Sequence, residues 1–494
     1  MQAILKSKWS WAGLAFSLAI LVVGVFFRPL WRDEFWALHY SGAGMSLLDA
    51  ITQRMTNDVH PPFYFILLHL WRLVSDAPIW ARAFNLLVLV IGVAGIWALG
   101  KQRRTETLLF LLLSLTSYWV VFYTIELRMY LMLFLLGAMS VLIVRNALEE
   151  PEKQITHVAL FALVGMAASA TQFFGTLWIA MLGFWVGIAF LHQRKFGAFV
   201  LWGLASAIAI APAAAWIFLA DPANNHGSAG PATSDPRGIM HGFDVAFVQF
   251  LRGLVIKTFG SNLAATAILF VTGAALLRRK ARIVIVLLLA CVSMFVVCTL
   301  LHVFYTQFIK ERGFAAMMPA VIFLMVRAID YASEQGKAQR LLKWTPIVIL
   351  ISPLLFMGEY GKDRENWGGV RELLAESGDC AGAEIIVYNR RSPNAAEFHR
   401  EITAYVLDDV AAGKRDVVIR DVDDMIARGE TAHPKPGCRV HAAAIAMPKA
   451  DSPLHQTARE RFRQVGVQVE ELEERQFGKG RQIVLVERST ASEP

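Results

Sequence analysis

Long apolar stretches alternate with short polar connections over residues 1–358 of the chain. A helix crosses a bilayer with about 20 apolar residues, and most of these stretches approach that length. The pattern therefore predicts about eleven membrane-spanning helices. They are expected at residues 9–27, 79–99, 107–123, 129–145, 155–171, 174–191, 197–219, 261–277, 283–303, 314–328 and 344–358.

A different pattern begins near residue 359, where charge rises and proline and glycine interrupt the chain. Short runs rich in β-branched residues predict strands, and helical periodicity predicts helices between them. The strands are expected at 383–389, 416–422, 440–447 and 481–487, and two of the helices at 367–377 and 454–465. We therefore predict a transmembrane domain at 1–358 and a small α/β domain at 359–494. The second domain carries no catalytic motif, which favours a structural or acceptor-recognition role.

Composition strengthens the membrane interpretation. Hydrophobic residues make up 56% of the 494 residues and charged residues only 18%, which is little charge for a soluble chain. The net charge of +8 does not indicate a nucleic-acid partner, because basic residues cluster at the ends of apolar stretches. Clusters such as Lys101, Arg103 and Arg104 fall in alternate loops, which the positive-inside rule assigns to the cytoplasm. An odd number of spans then places loop 28–78 and the C-terminal domain on the outer face.

The four cysteines do not point to a metal site, because no CxxC or zinc-type spacing is present. Cys291 and Cys298 lie within one apolar stretch, where packing is their expected role. Cys380 and Cys438 lie in the polar region, where a disulfide and two unpaired thiols are both compatible with the sequence. No cofactor is predicted, and dependence on a metal stays open.

Two adjacent carboxylates, Asp33 and Glu34, follow the first span in the run WRDEFW. A carboxylate at headgroup depth can accept a proton from an attacking hydroxyl or amine, and a partly apolar surrounding raises its pKa. The alternative is an acidic pair that marks a helix end. Loop 28–78 is thus a candidate catalytic loop, and its His-Pro-Pro step at His60 is expected to begin another apolar helix.

Cations on the same predicted face form a candidate anion site. They are Arg128, Lys310 and Arg312, with Glu126 and Tyr130 close to the first of them in sequence. A phosphate-bearing lipid donor needs positive charge where its phosphate leaves. A lone arginine at a span end more often reaches to the interface, but three cations and a carboxylate pair favour a donor site.

Three further features each have two interpretations. His60 is suited to orient a carboxylate or contact a phosphate, or simply to begin a helix, and Gln172 is similarly placed. The segment 220–242 is rich in glycine and proline and is either a lid or a plain connector. The amphipathic segment 243–258 is expected to lie along the membrane interface.

Taken in order, the motifs resemble the bacterial members of the GT-C glycosyltransferase superfamily that are related to protein O-mannosyltransferases and to lipid A aminoarabinose transferases. The motifs are WRDEFW at 31–36, HPPFYFILLHLW at 60–71, YTIELRMY at 123–130, TQFFG at 171–175, ERGFAAMMP at 311–319 and ENWGGVRELL at 365–374. The resemblance covers roughly residues 1–375, and the ordered set is more specific than any single motif.

The resemblance implies a polytopic α-helical fold of the GT-C type in a bacterial inner membrane, with an extracytoplasmic C-terminal α/β domain. It implies a polyprenyl-phosphate-linked sugar as donor and inverting transfer to a lipid, glycan or protein acceptor on the periplasmic face. By motif position, Asp33 is the implied base and Glu34 supports it. The implied substrate-binding residues are His60, Glu126, Arg128, Tyr130, Lys310 and Arg312.

Other functional classes stay open. A transporter or flippase of lipid-linked saccharides is expected to have internal repeats and broken or charged helices near the bilayer midplane, and the sequence indicates neither. A non-catalytic assembly protein would share the fold, whereas a membrane receptor would not need the acidic loop. The sugar is also open, because mannose, glucose, galacturonic acid and aminoarabinose are all compatible with the motifs.

Overall fold

The computed structural model of the chain describes the following residues: 1–28, 30, 32–42, 44–58, 60–220, 238–251, 282–305, 310–334, 345–360, 384–389, 418–433, 440–445, 453–467, 473–476 and 483–488. The chain divides into two compact units. The first consists of Met1–Phe26 and Gly44–Tyr360, and the second of Phe27–Ala43 and Gly361–Pro494.

Most of the described residues are helical. The α-helices, in chain order, are α1 (Lys8–Phe27), α2 (Arg32–Tyr40), α3 (Phe63–Arg72), α4 (Pro78–Leu99), α5 (Arg104–Leu115), α6 (Tyr118–Ile125), α7 (Tyr130–Glu149), α8 (Gln154–Thr171), α9 (Phe173–His192), α10 (Phe196–Leu219), α11 (Gly238–Leu251), α12 (Arg282–Phe304), α13 (Met318–Glu334), α14 (Thr345–Tyr360), α15 (Val422–Arg428) and α16 (Pro453–Gln464). Shorter helical turns lie at Gln2–Leu5, Leu47–Asp49, Ala50–Arg54, Met55–Asn57, Lys101–Arg103, Pro151–Lys153 and Glu311–Ala316.

The helices of the first unit confirm a polytopic α-helical membrane protein. Within the described residues, 7 helices are long and apolar enough to cross a membrane, or 8 if α5 and α6 count as one span. Helices α13 and α14 coincide with two more predicted stretches, although they have only 17 and 16 residues. The predicted span at 261–277 lies outside the described residues, so the total of about eleven stays a prediction.

The span predicted at 107–123 is not continuous, which corrects the sequence analysis. Helix α5 ends at Leu115 and α6 begins at Tyr118, with a bend of 54°. Hydroxyl side chains at the break compete for backbone groups, since Thr116 donates to the Leu112 carbonyl at 2.8 Å and Ser117 to the Ser114 carbonyl at 2.6 Å. Ser117 also caps α6 by accepting from the Val120 amide.

A buried charge network joins one end of α5, α7 and α13. Arg145, the last residue of the span predicted at 129–145, lies within α7 and is 1% exposed. It donates to Glu106 of α5 at 2.6 Å, and Arg327 of α13 reaches the other oxygen of Glu106 at 3.1 Å. Arg327 also pairs with Glu149 at 2.7 Å. The three helix ends must therefore lie on the same side of the membrane.

Helix α7 forms the centre of the first unit and is the most buried candidate span. It contacts α4, α8 and α13 and the turn Glu311–Ala316. The outer spans keep large apolar side chains exposed, as expected for surfaces that face lipid. Examples are Val23 of α1, Val90 of α4, Phe218 of α10 and Val292 of α12.

The second unit contains a mixed five-stranded sheet in the order β2-β1-β3-β5-β4. The strands are β1 (Glu384–Asn389), β2 (Val418–Asp421), β3 (Val440–Ile445), β4 (Glu473–Gln476) and β5 (Ile483–Arg488). Strand β1 pairs in parallel with β2 and β3, whereas β5 pairs antiparallel with β3 and β4. Four of the strands match the predicted runs. The sequence missed β4, EERQ, because a polar strand at a sheet edge lacks alternating apolar residues.

Helices α15 and α16 cover this sheet. The core between them includes Ile386 and Tyr388 of β1, Met425 of α15 and Phe462 of α16. Helix α16 confirms the helix predicted at 454–465, whereas the one predicted at 367–377 lies outside the described residues. The boundary at 358/359 and the extracytoplasmic location of the C-terminal domain stay predictions.

Candidate active site

The two predicted catalytic carboxylates lie in the first turn of α2, in the second unit. Acidic side chains are stabilised there by the helix dipole. Glu34 is fully buried, whereas Asp33 is only partly buried, so the two carboxyl groups have different surroundings. Trp36 stacks on Tyr40 one turn later, with ring centroids 5.5 Å apart, and this pair stiffens the helix. Trp31 lies outside the described residues.

The six other predicted site residues lie in the first unit. His60 precedes α3, which begins at Phe63 after Pro62 as the sequence predicted. Asp58 fixes the approach to the helix, because its carboxylate accepts a hydrogen bond from the His60 amide at 3.2 Å. The sequence analysis did not select Asp58, although an Asp two residues before His-Pro-Pro is a recognisable turn signal.

The segment Glu126–Met129 joins α6 to α7 and is buried throughout. The Glu126 amide still donates to the Phe122 carbonyl at 3.1 Å, and the Arg128 amide turns back to the Glu126 carbonyl at 2.7 Å. The side chains of Glu126 and Arg128 are 1% and 7% exposed. Two buried charges of opposite sign thus lie at an interruption between membrane helices, where ionisable groups commonly mark a functional site.

Arg312 is brought to this segment although it lies far from it in sequence. Its guanidinium group lies 5.4 Å from the centroid of the Tyr130 ring, a cation–π distance. Tyr123, near the end of α6, has its ring centroid 5.1 Å from the same ring. The structure therefore brings the third and fifth sequence motifs, YTIELRMY and ERGFAAMMP, into one charged aromatic cluster.

The turn Glu311–Ala316 is held by close packing on both sides. A Cβ at Gly137 of α7 would collide with the Ala316 carbonyl, and a Cβ at Gly313 would collide with the Phe174 ring. Phe314 packs between Phe174 and Phe250 at 6.1 and 5.4 Å. Glycine at position 137 therefore allows the two backbones to approach, and glycine at position 313 leaves room for the Phe174 ring. Lys310, just before the turn, is exposed.

Sequence reasoning missed the residues that support the cluster. Asn85 of α4 is fully buried, and its amide donates to the Glu126 carbonyl at 2.6 Å. Its carbonyl oxygen accepts from the Tyr64 hydroxyl of α3 at 3.0 Å. The available signal was a single Asn inside an apolar stretch. Tyr123 was quoted within a motif but not selected as a site residue.

Gln172 lies at the corner between α8 and α9 and is 2% exposed. Its side-chain carbonyl accepts no hydrogen bond from the part of the chain that the structure describes. The structure places it in the same corner as Phe174, which contacts Gly313. Among the described residues, no three His, Cys, Asp or Glu side chains are placed to hold a metal ion.

The described helices define a polytopic α-helical membrane protein. Two solved structures of ArnT from Cupriavidus metallidurans share the fold. The apo structure has a TM-score of 0.56 and 13% identity over 97% of both chains. The structure with undecaprenyl phosphate has a TM-score of 0.57 and 12% identity, and the alignment covers 99% of this chain and 100% of that one.

These likenesses confirm the GT-C-like fold that the resemblance implied. No family model matches the chain. A search of curated proteins likewise finds no match.

Proposed function

We propose that this chain is an integral-membrane glycosyltransferase. It moves a sugar from a polyprenyl-phosphate donor to a lipid, glycan or protein acceptor on the outer face of the membrane. The observation that carries the proposal is the buried Glu126–Tyr130 segment with the Arg312 guanidinium group against Tyr130. Further support comes from the shared fold with ArnT, one structure of which holds undecaprenyl phosphate.

The proposed roles follow from charge. Arg128 and Arg312 are cations suited to the phosphate group of the donor, since guanidinium groups bind phosphate through paired hydrogen bonds. Lys310 adds an exposed positive charge two residues before Arg312. Tyr130 and Tyr123 offer aromatic faces and hydroxyl groups for a sugar ring. His60 and Glu126 complete the proposed substrate-binding set.

The proposed reaction is a single displacement at the anomeric carbon. The acceptor oxygen or nitrogen forms a bond to this carbon while the bond from the carbon to the phosphate oxygen breaks. The bonding electrons leave with the phosphate, which the arginines stabilise as its charge grows. The acceptor proton passes to the Asp33 carboxylate, the proposed base, and Glu34 supports it. One displacement inverts the anomeric configuration.

The test is a transfer assay with the purified protein in lipid, offered a panel of polyprenyl-phosphate sugars with and without membrane lipid extract. Wild type is expected to consume one donor, which names the sugar. Asp33→Asn keeps the shape of the side chain but removes its basicity, so we expect transfer to fall by about a hundredfold or more. Folding and membrane insertion are expected to stay unchanged.

A matched control is Asp76→Asn, which makes the same chemical change at a largely exposed carboxylate before α4. It is expected to retain wild-type transfer. Normal transfer by Asp33→Asn would remove Asp33 as the base. If a folded wild-type protein consumes no donor in any extract, the proposed function is rejected and a transporter or an assembly protein becomes the better explanation.

A further inference from the structure

The C-terminal end of α6 is buried within the membrane domain. The last carbonyl groups of any helix have no partner within the helix, and little water is available inside a bilayer to supply one. Helix α6 ends at Ile125 inside the buried core of the first unit. Its terminal carbonyl groups therefore need a donor from another element.

Asn85 of α4 supplies that donor. Its side-chain amide lies 2.6 Å from the Glu126 carbonyl, 3.3 Å from the Tyr123 carbonyl and 3.4 Å from the Thr124 carbonyl. All three partners are acceptors, so the NH2 group must face them and the side-chain oxygen must face away. Asn85 is 0% exposed, and a fully buried amide in a membrane helix costs free energy unless its partners are in place.

Tyr64 fixes the orientation of this amide. Its hydroxyl donates to the Asn85 oxygen at 3.0 Å, in the amide orientation that the three carbonyl acceptors require. Tyr64 is 1% exposed and packs edge-on against Phe84 with ring centroids 5.6 Å apart. It belongs to α3, the helix that follows His60.

The backbone of Glu126 is thereby fixed at both its amide and its carbonyl group. Its amide donates to Phe122, and its carbonyl accepts from both Asn85 and the Arg128 amide. With this carbonyl fixed, the directions in which the Glu126 and Arg128 side chains leave the backbone are fixed as well. A shift of about 1 Å in such groups is enough to lower a transfer rate by orders of magnitude.

We propose that Asn85 is a positioning residue for Glu126 and Arg128, and that Tyr64 couples the helix after His60 to the same segment. This inference rests on the proposed function, because it assigns Asn85 a role in holding the donor-binding residues. Asn85 itself is not expected to touch the substrate.

The experiment uses the full-length protein in lipid and three variants. Asn85→Leu removes the donor while keeping the branched shape of the side chain, Tyr64→Phe removes only the hydroxyl, and Ser140→Ala is the control. Ser140 accepts a buried hydrogen bond from Trp178 at 3.1 Å, so its loss also leaves a polar group unsatisfied between membrane helices. The measurements are amide hydrogen exchange over 123–130, binding of undecaprenyl phosphate and transfer rate.

Asn85→Leu is expected to raise exchange over 123–130 and to weaken binding of undecaprenyl phosphate by about tenfold or more. Tyr64→Phe should act in the same direction with a smaller effect. Ser140→Ala should lower thermal stability without either change. In an Arg128→Ala background, Asn85→Leu is expected to weaken binding no further, because the group that it positions is already absent.

Two results would overturn the inference. One is that Asn85→Leu leaves amide hydrogen exchange over 123–130 unchanged. The other is that Asn85→Leu weakens binding of undecaprenyl phosphate equally in the wild-type and the Arg128→Ala backgrounds. A wild-type protein that consumes no donor rejects the transferase proposal by itself. The exchange result then still decides whether Asn85 holds the segment, so the two failures are distinguishable.

Discussion

At the scale of single residues, buried charges lie at both ends of α7. Glu126 and Arg128 are buried just before its start and Arg145 near its end, whereas Lys101 and Arg194 at the ends of other spans are exposed. The sequence located the buried pair only through its motif, because nothing in its composition distinguishes a buried arginine from one at an interface. Asn85 was missed because its importance depends on the Glu126 carbonyl, which only the fold brings to it. Tyr123 was missed because its ring contact with Tyr130 depends on the turn between α6 and α7.

The buried carboxyl group of Asp421 is expected to make the stability of the second unit depend on pH. Burial raises the pKa of its carboxyl group from 3.8 to about 6, although the Asp423 and Asp424 amides donate to it. The folded state therefore keeps this proton to a higher pH than the unfolded state does. The protonated Asp421 carboxyl group therefore contributes stability below a pH of about 4, and this contribution is lost as the pH rises through about 6.

Asp421→Asn keeps an oxygen that can cap α15 but cannot ionise. We expect its stability relative to wild type to increase by about 1–2 kcal/mol between roughly pH 4 and pH 7, as measured by thermal unfolding of the second unit in the full chain. Asp421→Ala removes the cap and is expected to lose about 1 kcal/mol at low pH. A constant difference between Asp421→Asn and wild type across this range would contradict the raised pKa.

At the scale of elements, the apolar pattern predicted helix positions well and interruptions poorly. Most predicted spans end within a few residues of the observed helices, because apolar length is what the bilayer requires. The break between α5 and α6 was missed because Thr116 and Ser117 are small and do not interrupt the apolar stretch. Their effect depends on side-chain hydrogen bonds to the backbone, which hydropathy does not report.

Helix α7 and the turn Glu311–Ala316 are in close backbone contact at Gly137. In Gly137→Ala, the new methyl group meets the Ala316 carbonyl, which belongs to the backbone and cannot rotate away. The turn must then move from α7, and Arg312 moves with it. We expect a loss of about 1–3 kcal/mol in stability and a fall of at least about tenfold in transfer by the donor-consumption assay.

The matched control is Gly203→Ala in α10, where a new methyl group meets no atom within 4 Å. Alanine favours a helix over glycine by about 0.5–1 kcal/mol, so this variant is expected to be at least as stable as wild type and equally active. If both glycine variants lose transfer to the same extent, close packing against the turn is not what positions Arg312.

At the scale of the whole molecule, the sequence predicted the membrane class and the GT-C-like fold, but it did not predict which segments group together. It treated loop 28–78 as part of the transmembrane domain, whereas Phe27–Ala43 groups with Gly361–Pro494 in the structure. This grouping joins segments more than 300 residues apart, and periodicity within a window carries no information on such pairings. The edge strand β4 was missed for a local reason, its polar composition.

Two observations in the first unit predict the orientation of the chain in the membrane. The Glu106 network places the start of α5 and the end of α7 on one side, so α5 and α6 together cross once. A hydrogen bond of 3.1 Å from Arg282 to Gln193 likewise places the end of α9 beside the start of α12. The exposed basic loops at Lys101 and Arg194 belong to these ends, and the positive-inside rule assigns such ends to the cytoplasm.

We therefore expect alkaline phosphatase, which folds only outside the cytoplasm, to be inactive when fused after Gln102 and active when fused after Asp76 or Pro494. A fluorescent protein that matures only in the cytoplasm should give the opposite pattern at the same three sites. Activity after Gln102 with none after Asp76 would invert the molecule and place Asp33 on the cytoplasmic side, where the proposed transfer to an outer acceptor cannot take place. An inactive fusion after Pro494 alone would show that the chain crosses the membrane an even number of times and would place the C-terminal sheet in the cytoplasm. That result would contradict the grouping of Phe27–Ala43 with Gly361–Pro494 in one compact unit and remove the sheet as a candidate for acceptor recognition.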